Sequence, residues 1–256
     1  MCLILFAHQA HPDFALVLAA NRDEFFARPT TAADYWEDAP EVLGGRDLEK
    51  GGTWMGVTRD GRWSAVTNYR DGTRPEAGTR SRGQMVARFL TENADARSYA
   101  ESIARSASAY HGFNLLAGDA SDLYYVSHAE GKSRRVEPGV HGLSNDRLDT
   151  PWPKVERGRR RLQSMLSGDA EVTEEDLLAV LADRDLAQDH LLPQTGIPYD
   201  WEKRLSASFI VSPAYGTRAS SVLLIGMNGE VRFRERSFDE NGELLEDRMF
   251  RFTISA

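Results

Sequence analysis

The chain predicts an α+β fold, a four-layer αββα sandwich with largely antiparallel sheets. Three observations lead there. Apolar runs of strand length are joined by hairpin turns, which antiparallel pairing permits and parallel pairing does not. Two pairs of helical stretches interrupt those runs, so the order is strands, two helices, strands, two helices, strands. Sheets must cover their apolar faces, and two stacked sheets with a helix pair outside each achieve this. At 256 residues and 41% hydrophobic content, the chain can bury a sizeable core. No repeat, low-complexity stretch or linker divides it, so residues 1–256 are expected to form one domain.

The elements follow in order. Residues 2–8 and 14–20 are apolar and joined by His11-Pro12-Asp13, which reads as a hairpin of buried strands. Thr53 to Thr58 and Arg62 to Asn68 flank Asp60-Gly61, a strong turn dipeptide, and form a second hairpin. Ser81-Arg82-Gly83-Gln84 has capping-box spacing and opens a helix through about Leu90. Asp95 begins another that reaches roughly Ser108. Strands resume at 113–117, 123–127 and 140–143. Thr150-Pro151 starts a helix to about Leu166, since proline is tolerated in a first turn. Thr173 to Asp176 start an acidic-first helix, which suits the helix dipole, within a charged helical segment from Ala170 to Gln194. Strands at 207–212, 219–226, 230–236 and 245–254 complete the chain, with turns at Asn228-Gly229 and Asn241-Gly242.

A net charge of −8 argues against a nucleic-acid partner and against an anionic membrane surface. The N-terminus has no basic stretch, and its apolar runs are too short for a signal peptide or a membrane span, so no stable membrane insertion and a cytoplasmic location are expected. A single cysteine excludes an intrachain disulfide. The six histidines show no zinc spacing, and there is no covalent haem attachment motif and no glycine-rich phosphate loop. The basic residues Lys154, Arg157 and Arg159 to Arg161 read as a solvated helix face.

That one cysteine is residue 2. Its side chain is small enough to permit removal of Met1, after which thiol and free α-amine belong to one residue. Sulfur can then attack while the amine takes and returns the proton. Antiparallel partners keep a constant sum, so a turn centred on residues 11–13 sets Cys2 opposite residues 21–23. Those are Asn21-Arg22-Asp23, followed by Glu24. An Asp there can orient the amine, and an Arg can lower the thiol pKa by its charge.

Leu16 to Phe25, with Asn21-Arg22-Asp23-Glu24 at its centre, resembles the signature of the NRDE family, the transport and Golgi organisation 2 homologues. Further blocks carry the likeness: Arg28-Pro29, Gly51 to Gly56, Thr67-Asn68-Tyr69, Ser81-Arg82-Gly83, Gly142 to Asn145, Pro151 to Lys154 and Tyr215 to Arg218. That family is similar to the N-terminal nucleophile hydrolases of the choloylglycine hydrolase and penicillin V acylase branch. The resemblance implies the same sandwich fold. It implies Cys2 as nucleophile with Arg22 and Asp23 beside it, although the branch separates its Arg and Asp. Asn145 and Asn68 would be oxyanion contributors, and Arg218 a late arginine near the thiol. Preplaced amide donors stabilise the charge on a tetrahedral intermediate, and losing one costs roughly 3–4 kcal/mol.

Two functions follow from the resemblance. One is a cysteine amidase or thioester-using acyltransferase that needs no cofactor. The other is a non-catalytic carrier, with haem or acyl-coenzyme A as cargo. The expected partner in either case is a small amphipathic molecule: an amide, a thioester, an acyl-coenzyme A or haem.

Overall fold

The structure is a computed structural model and describes residues 2–73, 78–168 and 170–255. Cys2–His8 (β1) and Phe14–Phe25 (β2) form the predicted hairpin, and successive side chains go to opposite faces. Ile4, Phe6, Leu16 and Leu18 enter a core between two sheets, while Leu3, Leu5, Val17 and Ala19 enter a core under helices. Burial on both faces is why these strands read as unbroken apolar runs.

The second sheet is a seven-stranded meander in chain order. Its strands are Thr30–Trp36 (β3), Ala39–Asp47 (β4), Met55–Thr58 (β5), Trp63–Asn68 (β6), Phe113–Gly118 (β7), Leu123–Ser127 (β8) and Lys132–Arg135 (β9). Gly61 holds φ +83° in the β5–β6 turn, a conformation glycine adopts without steric cost. Two helices, Arg82–Thr91 (α1) and Ala96–Arg105 (α2), cover the outer face with Met85, Phe89, Tyr99 and Ile103.

The first sheet has six strands, in the order β10 (Gly139–Leu143), β1, β2, β11 (Tyr215–Gly226), β12 (Glu230–Phe238) and β13 (Leu244–Thr253). Pro153–Leu166 (α3) and Glu174–Leu181 (α4) cover its outer face through Val155, Leu162, Leu177 and Leu181. A short helix, Tyr199–Arg204 (α5), precedes β11. The layers are therefore helices, sheet, sheet, helices, all pairings within the named strands being antiparallel. Among the described residues no helix is long and apolar enough to cross a membrane.

Several local expectations are corrected. Strands β3, β4 and β9 were not legible. β2 runs past residue 20 to Phe25 because β11 pairs along it from Tyr215 onward. Residues 207–212 form no strand; Thr217 N–H bonds the Ile210 carbonyl at 2.8 Å and Thr217 Oγ1 accepts from Ile210 N at 2.8 Å, so the segment folds back on the start of β11 instead of extending. The capping box does not form: the Ser81 side chain makes no cap bond, and Gln84 Nε2 reaches the Lys50 carbonyl at 3.4 Å. The segment 170–194 is helical only over α4 and a 3-10 turn at Asp189–Leu191.

At the sheet edge, Arg234 and Arg236 of β12 grip Asp247 of β13 at 2.7 and 2.8 Å and Glu175 of α4 at 3.0 and 2.7 Å. These arginines, Arg234 foremost, hold the Asp247 carboxyl down at about 2. A depressed carboxyl contributes stability above its ordinary value near 3.8 and loses it as pH falls through the depressed one. Asp247→Asn is expected to cost about 1 kcal/mol at neutral pH. It should also flatten the dependence of urea midpoint on pH between about pH 4 and pH 2. An unchanged acid limb would mean that the cluster is not what titrates there.

Candidate active site

The register sets Cys2 opposite Arg22 and Leu3 opposite Asn21, within the range predicted. Met1 and the Cys2 side chain lie outside what the structure describes. Opposite faces separate the three residues that follow Ala20. Asn21 points under the helices, where Nδ2 donates to the carbonyls of Leu181 at 3.0 Å and Ser208 at 2.7 Å. Its Oδ1 accepts from Ser220 Oγ at 2.6 Å. Asn21 therefore ties α4 and the 208 segment to the sheet, a structural task that the motif alone did not reveal. Arg22 turns between the sheets and lies over the Trp54 ring, 4.2 Å from its centroid, while only 6% exposed. Trp54 is thus a platform for a buried guanidinium.

Asp23 is fully buried. Its Oδ1 accepts from Thr217 Oγ1 at 2.7 Å, and its carbonyl accepts from the Tyr215 hydroxyl at 3.1 Å. Burial pushes the carboxyl up, and the charge of Lys154, the Thr217 hydroxyl and Arg22 pull it back. Lys154 is the residue most misjudged from sequence. It is 1% exposed, in the first turn of α3, and its ammonium acts on Asp23. The expectation of a solvated face holds for Arg160 and Arg161, which are exposed, and fails for Lys154, because Lys154 shares a helical stripe with Gly158 and Leu162, which are both buried against the sheet. That four-residue spacing was the available signal.

The structure brings the two predicted asparagines together. Asn145 Nδ2 donates to the Asn68 carbonyl at 2.9 Å, and Arg70 N–H donates to the Asn145 carbonyl at 2.7 Å. Thr67 Oγ1 adds a bond to the Ser144 carbonyl at 2.6 Å, so the end of β6 is laced to the end of β10. One of the two Asn145 amide hydrogens is thereby committed to holding Asn68. Asn145 is itself fully buried.

Arg218 is placed otherwise. It is the extra residue of a bulge, since Thr217 pairs with Asp23 and Ala219 with Arg22. A bulge re-aims its side chain. Here Nη1 donates to the carbonyls of Arg28 and, at 3.2 Å, Phe25. The side chain borders a cavity of about 180 Å³ shared with Arg22, Trp54 and Glu235. Burial, then the charge of Arg22, lowers the Arg218 pKa, so the two guanidiniums feel each other.

A larger cavity of about 340 Å³ opens where β2 and β6 end, and Arg22, Asp23, Trp54 and Asn68 line it. The loop after β4 and the start of α1 close its other walls through Lys50, Thr53 and Arg80 to Gly83. Arg218 and Asn145 are not among its lining residues. Among the described residues no group of His, Cys, Asp and Glu has the makings of a metal site.

An αββα sandwich of this layer order is the fold of the N-terminal nucleophile hydrolases. The C2A mutant of the conjugated bile acid hydrolase from Clostridium perfringens superposes with a TM-score of 0.54 at 10% identity, covering 99% of this chain and 92% of that one. The Caenorhabditis elegans ortholog of N-acylethanolamine-hydrolyzing acid amidase gives 0.50 at 9% identity, covering 87% and 92%. The chain belongs to the Transport and Golgi organisation 2 family, whose pattern matches residues 1–240. The Transport and Golgi organization 2 homolog of Mus musculus is 33% identical over 277 residues, covering 100% of both chains.

Proposed function

We propose that the protein is a cytoplasmic enzyme of the N-terminal nucleophile type, acting on an amide or thioester of a small amphipathic molecule without a cofactor. The observation that carries this reading is the register of Cys2 opposite Arg22, at the sheet end where buried Asp23 borders the large cavity. In this reading Cys2 sulfur attacks the carbonyl carbon, and its own α-amine takes the thiol proton and delivers it to the leaving group. Asp23 orients the amine, Arg22 favours the thiolate, and Asn68 with Asn145 supports the oxyanion. Arg218 acts through Arg22, whose charge it reinforces. The bile acid hydrolase whose C2A mutant shares the fold also has its cysteine at the second position.

The test is the pH dependence of iodoacetamide alkylation, on protein whose intact mass shows loss of Met1. The expected result is a thiol pKa below the free-cysteine value of about 8.5. A value at or above it, or retention of Met1, would remove the nucleophile.

The relatives' names, which speak of transport, favour a carrier as the second reading. Haem or an acyl-coenzyme A would then bind reversibly, because a carrier must release its cargo. Haem titration should shift the Soret band, and Cys2→Ala should leave transfer intact unless Cys2 is the axial ligand. A Cys2→Ala protein that still transfers haem, while the wild type cleaves no amide or thioester tried, would decide for the carrier.

A further inference from the structure

We propose that Thr67, Asn114 and Tyr125 are positioning residues for Asn145: they clamp the irregular loop that carries it, so that its side-chain amide stands ready for the oxyanion of the reaction at Cys2. This deepens the reading above and rests on it for the nucleophile. β10 ends at Leu143, and among the described residues 144–149 lie outside the named strands, so sheet pairing does not hold Asn145. The second sheet holds it instead. Thr67 of β6 pairs directly opposite Asn114 of β7, and Tyr125 of β8 stands opposite Leu116, two residues further along β7. Alternation puts all three on the inner face, in line with Ala65, Leu116 and Leu123 of the core between the sheets.

Every hydrogen that the three side chains can donate is used. The Tyr125 hydroxyl accepts from Leu148 N–H at 3.1 Å and donates to Asn114 Oδ1 at 2.7 Å. Asn114 Nδ2 donates to the Asp146 carbonyl at 2.8 Å and to Thr67 Oγ1 at 3.2 Å. Thr67 Oγ1 in turn donates to the Ser144 carbonyl at 2.6 Å. The bonds run in one direction from Leu148 to Ser144, so each polarises the next. The carbonyls on both sides of Asn145 are thereby gripped, and its own carbonyl accepts from Arg70 N–H at 2.7 Å. Thr67, Asn114 and Tyr125 are all fully buried, so water does not replace a lost partner. Burial pushes the Tyr125 hydroxyl up to about 12, which keeps it a donor near neutral pH. One Asn145 amide hydrogen holds the Asn68 carbonyl, and the placement of the other is what the loop must fix. A misplacement of about 1 Å can cost on the order of a hundredfold in rate.

The experiment compares two reactions of Cys2 in the folded protein. With p-nitrophenyl acetate, sulfur attacks the carbonyl carbon and the thiol proton passes to the α-amine. The oxyanion so formed collapses to a thioester, and p-nitrophenolate leaves with the bonding electrons. With iodoacetamide, sulfur displaces iodide from a saturated carbon, and no oxyanion forms. Thr67→Val and Tyr125→Phe each remove one clamp hydroxyl at nearly constant volume. Both should slow acylation about tenfold or more and leave alkylation within about twofold of wild type. Thr67→Ser, which keeps the hydroxyl, should acylate at the wild-type rate. Ser64→Ala is the control for lost stability alone, since it removes a buried bond from β6 to the Leu116 carbonyl at 2.7 Å, and it should change neither reaction. Acylation that either hydroxyl variant leaves unchanged, alkylation that slows in proportion, a slow Thr67→Ser, or an equal loss in Ser64→Ala overturns the clamp. A wild type that p-nitrophenyl acetate acylates no faster than free cysteine removes the nucleophile, and the clamp's role with it. That outcome is distinct from failure of the clamp alone, in which wild-type acylation stays fast.

Discussion

Glu202→Gln should destabilise the protein by about 3–5 kcal/mol, the cost of removing one charge from a buried ion pair. Glu202 meets Arg70 at 3.4 Å, and their side chains are 7% and 5% exposed. Arg70 also lies over the Trp152 ring, 4.4 Å from its centroid. Glu202 Oε1 accepts from Thr195 N at 2.8 Å and Oγ1 at 2.5 Å. Glutamine keeps that acceptor, so the substitution removes charge and little else. Burial lowers the Arg70 pKa and Glu202 is the first group opposing it, so the variant leaves a guanidinium in low dielectric beside a neutral amide. Pairing Glu202→Gln with Arg70→Met should recover part of the loss, as replacement of whole buried pairs by apolar residues does. Urea unfolding measures both. A single-variant loss below about 1 kcal/mol would show that water reaches the pair.

Gly52→Ala is the second large effect. A Cβ on Gly52 would stand 2.4 Å from the Gly83 carbonyl carbon, 2.6 Å from its oxygen and 2.7 Å from Gln84 N. All three are backbone atoms of the first turn of α1 and cannot swing aside. Thr53 N–H also donates to the Gly83 carbonyl at 3.1 Å, so moving α1 breaks that bond and opens the cavity wall. The expected cost is about 3 kcal/mol, at the upper end for overpacking. Gly51 is the internal comparison. It has φ +69°, and a Cβ there would meet nothing within 4 Å, so Gly51→Ala should cost only about 1 kcal/mol of backbone strain. Equal urea midpoints for the two variants would show that the loop–helix contact yields easily.

What was legible in the sequence is what periodicity and turn chemistry encode. The β1–β2 hairpin was visible because both its faces are buried and His11-Pro12-Asp13 breaks the apolar run, and its register placed Cys2 against Arg22. Strand β3 was missed because its polar, half-exposed residues show little beyond Ala33 and Trp36 turned inward, and β4 because its buried run, Val42 to Gly45, is only two apolar residues followed by two glycines, which strands disfavour. Residues 207–212 looked like a strand because Phe209 and Ile210 are buried, but burial there serves a fold-back, which apolarity alone does not distinguish. The candidate site was half legible. Arg22, Asp23 and Asn68 line one cavity as the motif suggested. The bulge that redirects Arg218 depends on pairing with a strand nearly two hundred residues earlier in the chain, which no local pattern records. Lys154 was hidden by residue type: lysine is read as exposed unless its helical face is compared with its neighbours.

The strand that carries Asn21, Arg22 and Asp23 is hydrogen-bonded on both sides, to β1 through Arg22 and to β11 as far as Phe25. These residues therefore do not belong to a loop that can breathe. Freeing them requires both ladders to part, an opening whose free energy approaches that of unfolding the whole chain. Their amide protons should exchange with solvent on the timescale of global unfolding, whereas those of the edge strand β13 leave through far cheaper local openings. Substitutions that merely lower global stability will then loosen this cluster in the same proportion, and a lesion remote from the cavity can silence it without touching it.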